Sequence, residues 1–140
     1  MQKYVNDIIN LSKKSLKSND VPVGAIIVQN GEIIATGYNT REKSNDILGH
    51  AEINAIKKAT KKINNWNLSM CDLYVTLKPC SMCMEIIKQC RISNVYYLLD
   101  KPETKKEYSK INIEKIKYFK SCEDYHEILT NFFKEIREKN

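Results

Sequence analysis

Two short segments constrain this chain more than anything else in it: His50-Ala51-Glu52 and Pro79-Cys80-Ser81-Met82-Cys83. One imidazole and two thiols form the donor set with which proteins hold zinc through three groups, leaving a fourth tetrahedral position open. For the donors to share one ion, the fold must bring the two segments within a few ångströms of each other. Each segment also opens a stretch of helical periodicity, so two helix N-termini would meet at that point. The free N–H groups and partial positive charge there favour the thiolate forms of Cys80 and Cys83. These two cysteines stand three apart, share a helix face and can chelate one ion. Glu52 is not needed as a ligand. A spare carboxylate beside a metal-activated water is the proton shuttle that hydrolysis requires.

The remaining pattern says what carries these segments. Val5, Ile8, Ile9, Leu11 and Leu16 recur at helical spacing and predict a helix over residues 2–18, rich in lysine towards its end and stopped by Asn19-Asp20. Val21-Pro22-Val23-Gly24 leads into a strand from Ala25 to Gln29. Asn30-Gly31 predicts a two-residue hairpin, because both positions tolerate positive φ, and the return strand runs from Glu32 to about Tyr38. The polar stretch 39–49 predicts a loop that delivers the chain to His50. From there to about Lys62, Ala51, Ala55, Ile56 and Ala59 fall on one helical face with lysines opposite.

Asp72 to Leu77 predicts a strand, Cys80 to about Cys90 a helix, and Asn94 to Leu99 another strand, the unit that builds parallel pairing through a crossover helix. Residues 101–110 are charged and interrupted by Pro102. Ile113 to Phe119 alternates apolar residues with lysine and predicts a further strand. Ser121 or Asp124 would cap a last helix whose apolar face carries Tyr125, Ile128, Leu129, Phe132, Phe133 and Ile136. This order implies an α/β fold in which one mixed sheet of about five strands is covered by helices on both faces, within a single domain spanning 1–140.

Composition excludes several classes. With 42% hydrophobic and 29% charged residues and little Gly or Pro, the composition is that of an ordinary globular chain and argues against disorder. The longest clean apolar run, Ala25 to Val28, is far too short to cross a bilayer, and the polar start lacks the apolar block of a signal peptide. Five cysteines are an odd number and two belong to the metal motif, so a reducing, cytoplasmic setting is expected. The net charge of +6 favours an anionic partner such as nucleic acid, although a Lys-, Asn- and Ile-rich coding bias would produce the same excess.

A purely structural zinc site would need a fourth protein ligand. Cys90 lies seven residues beyond Cys83, roughly 10 Å along a helix, and cannot reach the same ion. Cys71 is separated from Cys80 mostly by strand, roughly 25 Å or more. Cys122 and His126 stay open as candidates. Otherwise Cys71, Cys90 and Cys122 read as small buried apolar residues. Asn39 reads either as an ordinary strand end or as an amide at the mouth of the site.

H-x-E followed by P-C-x-x-C is a known signature of zinc nucleobase deaminases. Together with Val21-Pro22-Val23-Gly24-Ala25, Asn39, Tyr74-Val75-Thr76-Leu77, Arg91-Ile92 and Asn131-Phe132-Phe133, it resembles the bacterial tRNA-specific adenosine deaminases. The resemblance covers roughly residues 4–99 and 116–137. It implies the three-layer α/β/α cytidine-deaminase-like fold, a homodimer, and conversion of adenosine to inosine at the wobble position of a tRNA anticodon stem-loop. It further implies that His50, Cys80 and Cys83 hold one Zn2+ per subunit and that Glu52 moves protons. Asn39, the backbone N–H of Ala51 and the carbonyl of Pro79 would touch the base, and lysines between 101 and 120 would grip RNA. The chain departs from the family at Lys78, where glutamate is usual before Pro-Cys. It departs again at Asp100-Lys101-Pro102-Glu103-Thr104-Lys105-Lys106, which replaces a glycine-containing stretch, and it is shorter after the fourth strand. Two other readings stay open. One is a deaminase of the same fold acting on a free base or nucleoside such as cytosine, guanine or cytidine. The other is a non-catalytic zinc-stabilised RNA-binding module.

Overall fold

A computed structural model describes residues 1–101 and 111–139. Five strands form one sheet in the order β2-β1-β3-β4-β5. Strand β1 (Gly24–Gln29) pairs antiparallel with β2 (Glu32–Tyr38) and with β3 (Cys71–Leu77), while β3, β4 (Asn94–Leu99) and β5 (Asn112–Lys115) run parallel. Asn30 and Gly31 both adopt positive φ, 51° and 77°, as the predicted two-residue hairpin demands. The register of this hairpin shifts between Ile27 and Val28, which face Ala35 and Ile33 and leave Ile34 as a bulge in the edge strand β2.

Alternation along the strands sorts their side chains onto two faces. Ala25, Ile27, Leu73, Val75, Val95 and Tyr97 pack beneath α3 (Ala51–Ile63) and α4 (Ser81–Gln89), against Ala51, Ala55, Ile56, Ala59, Met84 and Ile87. Ile26, Val28, Tyr74 and Leu98 face the other way, under α1 (Gln2–Lys14) and α5 (Phe119–Lys139), against Val5, Ile8, Ile9, Leu11 and Tyr125. The mixed sheet with helices on both faces is therefore as the hydrophobic pattern predicts. No helix among the described residues is long and apolar enough to cross a membrane.

Several boundaries differ from the pattern. The first helix is α-helical only to Lys14. Ser15–Ser18 tighten into a 3-10 turn, and Asn19 closes it in the left-handed region at φ 58°. The stretch 39–49 contains a short helix, α2 (Arg41–Ser44). Strand β5 stops at Lys115 rather than Phe119, because Ile116, after its N–H bonds the carbonyl of Tyr97 at 2.7 Å, turns under the sheet into the opposite core. Helix α5 then begins at Phe119, so Ser121 and Asp124 lie inside it and cap nothing. Asp124 instead pairs with Lys120 one turn earlier, at 3.1 Å. Residues 102–110, which hold Pro102 and most of the altered charged stretch, lie outside the described residues.

One close approach couples the sheet to the site. A Cβ on Gly37 would fall 2.3 Å from the carbonyl oxygen of Ala51 and 2.7 Å from the nitrogen of Ala55, so β2 and the first turns of α3 touch backbone to backbone. Gly37→Ala is expected to push α3 away and to cost about 3 kcal/mol of stability in chemical denaturation. Unchanged stability would contradict this packing.

Candidate metal centre and cleft

Two loops lead into two helices at one end of the sheet. His50 is the N-cap residue of α3, with extended backbone, and Cys80 is the N-cap residue of α4 immediately after β3 and Pro79. Neither cap uses its side chain to bond its own helix, so imidazole and thiol are both available to point outward from the helix starts. Cys83 follows on the first turn of α4 and is fully buried. His50 Nδ1 lies 3.4 Å from Cys83 Sγ and 3.8 Å from Cys80 Sγ, and the three donor atoms all fall within 4.8 Å of one another.

These spacings fit a metal. Tetrahedral zinc with Zn–S of about 2.3 Å and Zn–N of about 2.0–2.1 Å separates N from S by about 3.6 Å. The His/Cys/Cys group could therefore hold a metal ion. No other described His, Cys, Asp or Glu joins the cluster. Cys122 instead donates its thiol to the carbonyl of Leu98 at 3.3 Å, and His126 is exposed on α5, so both open candidates for a fourth ligand are removed. Cys71 and Cys90 are buried in the core.

The electrostatics of the cluster are those of a shared proton. A hydrogen bond from Cys83, then one with His50, brings the Cys80 thiol down to about 3. Cys83 moves strongly upward because its thiol donates to Cys80 and because it is buried. The hydrogen bond with Cys80 also raises His50. One thiolate and a proton held between neighbours is an arrangement a divalent cation readily replaces. Glu52 is 4% exposed, and loss of solvent lifts its carboxyl above the ordinary carboxylate range.

His50, Cys80 and Glu52 open onto a cleft of about 330 Å³. Asn39, Arg41, Lys78 and Lys101 line it, together with Phe132, Phe133 and Ile136 of α5. Phe132 is buried and packs edge-on against Phe133, which is 45% exposed. Of the residues expected to touch a base, Asn39 lines the cleft, while Ala51 and Pro79 are buried behind its wall. Asn39 Oδ1 accepts the N–H of Ala51 at 2.8 Å, so two of the expected contacts engage each other and fix the start of α3.

Asp20 is a residue that sequence reasoning missed; Asn19-Asp20 signals only a break. Its buried carboxylate accepts the N–H of Glu42 at 2.6 Å and of Lys43 at 3.2 Å, capping α2 from a distant part of the chain. Thr40 N–H to the carbonyl of Gly49, at 2.8 Å, closes the same loop just before His50. Asp20→Asn is expected to lose about 2 kcal/mol, because the amide cannot accept at both oxygens of a carboxylate. Hydrogen exchange should speed up at Glu42 and Lys43 in that variant; unchanged protection there would show that the loop holds itself.

A five-stranded mixed sheet whose helix starts gather one imidazole, two thiols and a buried carboxylate defines a class, and comparison with known proteins specifies it. The family model for MafB19-like deaminase matches residues 1–137, and the chain belongs to that family. It is 38% identical over 135 residues to the tRNA-specific adenosine deaminase of Aquifex aeolicus (strain VF5), covering 90% of this chain and 89% of that one. It is 40% identical over 94 residues to the protein of the same name from Streptococcus pyogenes serotype M18 (strain MGAS8232), covering 67% of this chain. That match spans only 59% of the Streptococcus protein. Among solved structures, one from a study of A-to-I editing by tRNA:A34 deaminases at the wobble position superposes with a TM-score of 0.75. It is 27% identical and covers 82% of this chain and 98% of its own.

Proposed function

We propose that this chain is a zinc-dependent hydrolytic deaminase that converts adenosine to inosine at the wobble position of a tRNA anticodon, releasing ammonia. The observation that carries the proposal is the meeting of His50 Nδ1, Cys80 Sγ and Cys83 Sγ at zinc-like spacing beside buried Glu52, on the wall of an open cleft. The names of the Aquifex and Streptococcus relatives support the substrate, and the net charge of +6 suits a polyanion.

In this reading His50, Cys80 and Cys83 hold Zn2+. When bound, the ion supplies the Lewis acidity that lets water act as a nucleophile near neutral pH. Glu52 would take one proton from the attacking water at its carboxylate and pass it to the ring nitrogen. It would then carry the second, from the hydroxyl now on the ring carbon, to the amine, which leaves as ammonia while the carbonyl forms. Its burial keeps bulk water from competing for these protons. Asn39 offers its amide nitrogen to the cleft, since its oxygen is committed to Ala51. The N–H of Ala51 would contact the base only by exchanging its bond to Asn39 Oδ1, and the Pro79 carbonyl, buried like Ala51, would accept from the base once exposed to the cleft. Phe133 provides an exposed ring at the mouth on which a flipped base or its neighbour can stack. We further propose that the chain works as a homodimer in a reducing, cytoplasmic setting, to which its five free cysteines are suited.

Ammonia release with an anticodon stem-loop carrying a wobble adenosine, set beside a panel of free bases and nucleosides, tests the proposal. Inosine should form in the RNA; turnover of a free base or nucleoside alone would move the chain to a small-molecule deaminase. Glu52→Gln should lower kcat by at least about 10²-fold while zinc content stays at the wild-type level. Cys83→Ala should lose the metal, and a metal-replete, active Cys83→Ala protein would overturn the ligand assignment.

A further inference from the structure

Lys78 stands two residues before Cys80, on the wall of the cleft. Its backbone is fixed where β3 ends, by its N–H to the carbonyl of Leu99 at 2.9 Å. Its ammonium lies 5.7 Å from the ring centroid of Tyr97, a cation–π contact that gives a flexible side chain a preferred direction. Tyr97 is buried and donates its hydroxyl to Asp100 Oδ1 at 2.8 Å, while Lys115 Nζ donates to Asp100 Oδ2 at 2.8 Å. The tyrosine and Lys115 thus occupy both oxygens of Asp100.

The acids on the cleft wall are engaged as well. Asp20 accepts backbone N–H groups, Glu42 pairs with Arg41 at 3.6 Å, and Glu52 lies buried beside the cluster. Among the described residues no carboxylate forms an ion pair with Lys78. Among the described residues, this half-buried, oriented cation therefore lines the cleft with no carboxylate in ion-pair contact, Asp100 acting on it only from a longer distance. A glutamate here, which the resemblance leads one to expect, would place the opposite charge at that position.

We propose that Lys78 recognises a phosphate group attached to the ribose of the reacting nucleoside. This deepens the proposed function and rests on it: the substrate is a nucleotide unit, and a free base or nucleoside lacks the group that Lys78 binds. The phosphate can be the diester of an RNA strand or the monoester of a free nucleotide.

The test uses the zinc-loaded full chain with an anticodon stem-loop, adenosine and adenosine monophosphate. Lys78→Ala should raise KM for the RNA about tenfold, as loss of a charge-assisted hydrogen bond does, with kcat within about twofold. Lys78→Arg should restore most of the affinity, and Lys78→Glu should weaken it further. Replacing in turn each phosphate flanking the wobble adenosine by an uncharged methylphosphonate should, at one of the two, cost wild type what Lys78→Ala costs and cost the variant nothing more. An advantage of the monophosphate over adenosine that disappears in Lys78→Ala would assign the contact to a monoester. The RNA effect alone would assign it to the diester.

KM values indifferent to Lys78, or an equal loss with adenosine, would overturn the inference. Anisotropy binding of the same RNAs to zinc-loaded Glu52→Gln protein reads the contact without turnover. A wild type silent towards every substrate sinks the proposed reaction, while the response of Kd to Lys78→Ala and to the methylphosphonates still decides the role of Lys78.

Discussion

Everything about this molecule turns on holding two helix starts against each other. His50 opens α3 and Cys80 opens α4, and the donor atoms gathered there converge to within 4.8 Å of one another. Two N-termini repel, since each concentrates unsatisfied N–H groups and partial positive charge. A thiolate at Cys80, and a dication balanced by two thiolates, are the two ways this chain can make that encounter favourable. The parallel pairing of β3 with β4 through α4 and the backbone contact of β2 with α3 supply the rigid frame that keeps the starts in place.

The supports around the cluster are mostly backbone contacts made by small or polar side chains. Gly37 lets α3 settle on the edge of the sheet, Asn39 holds the N–H of Ala51, and Asn54 donates to the carbonyl of Tyr38 and to Thr40 at 2.9 Å each. Asp20 ties the loop before His50 to the end of the first helix. The cleft thus has a stiff metal-ready floor and a rim assembled from three separate parts of the chain. That division would let substrate preference change at the rim, as proposed for Lys78, while the donor cluster beneath stays the same.

The floor was legible in the sequence because metal chemistry admits few residue types and helix geometry admits few spacings. A three-residue step between Cys80 and Cys83, with His50 opening another helix, leaves little freedom. The strand pattern was equally open to reading, since burial on both faces of β1 and β3 demands runs of apolar residues. The rim was not legible. Asp20 caps a helix 21 residues away in the chain, a tertiary contact with no local signature. Ser121 carries a capping side chain yet sits buried within α5, because packing of Phe119–Lys139 overrode the local start signal. Lys78 was visible as a change of sign, but its direction depends on Tyr97 and Asp100, which only the fold brings beside it.

Coordination is the point at which the whole account can be checked in one step. X-ray absorption at the zinc edge of the purified protein reads the donor set directly. One zinc per chain is expected, with two sulfur neighbours at about 2.3 Å and two light-atom neighbours at about 2.0–2.1 Å, one being His50 and the other water. A third sulfur, a second imidazole or a metal-free folded protein would contradict it, and with it the assignment of this cleft to hydrolysis.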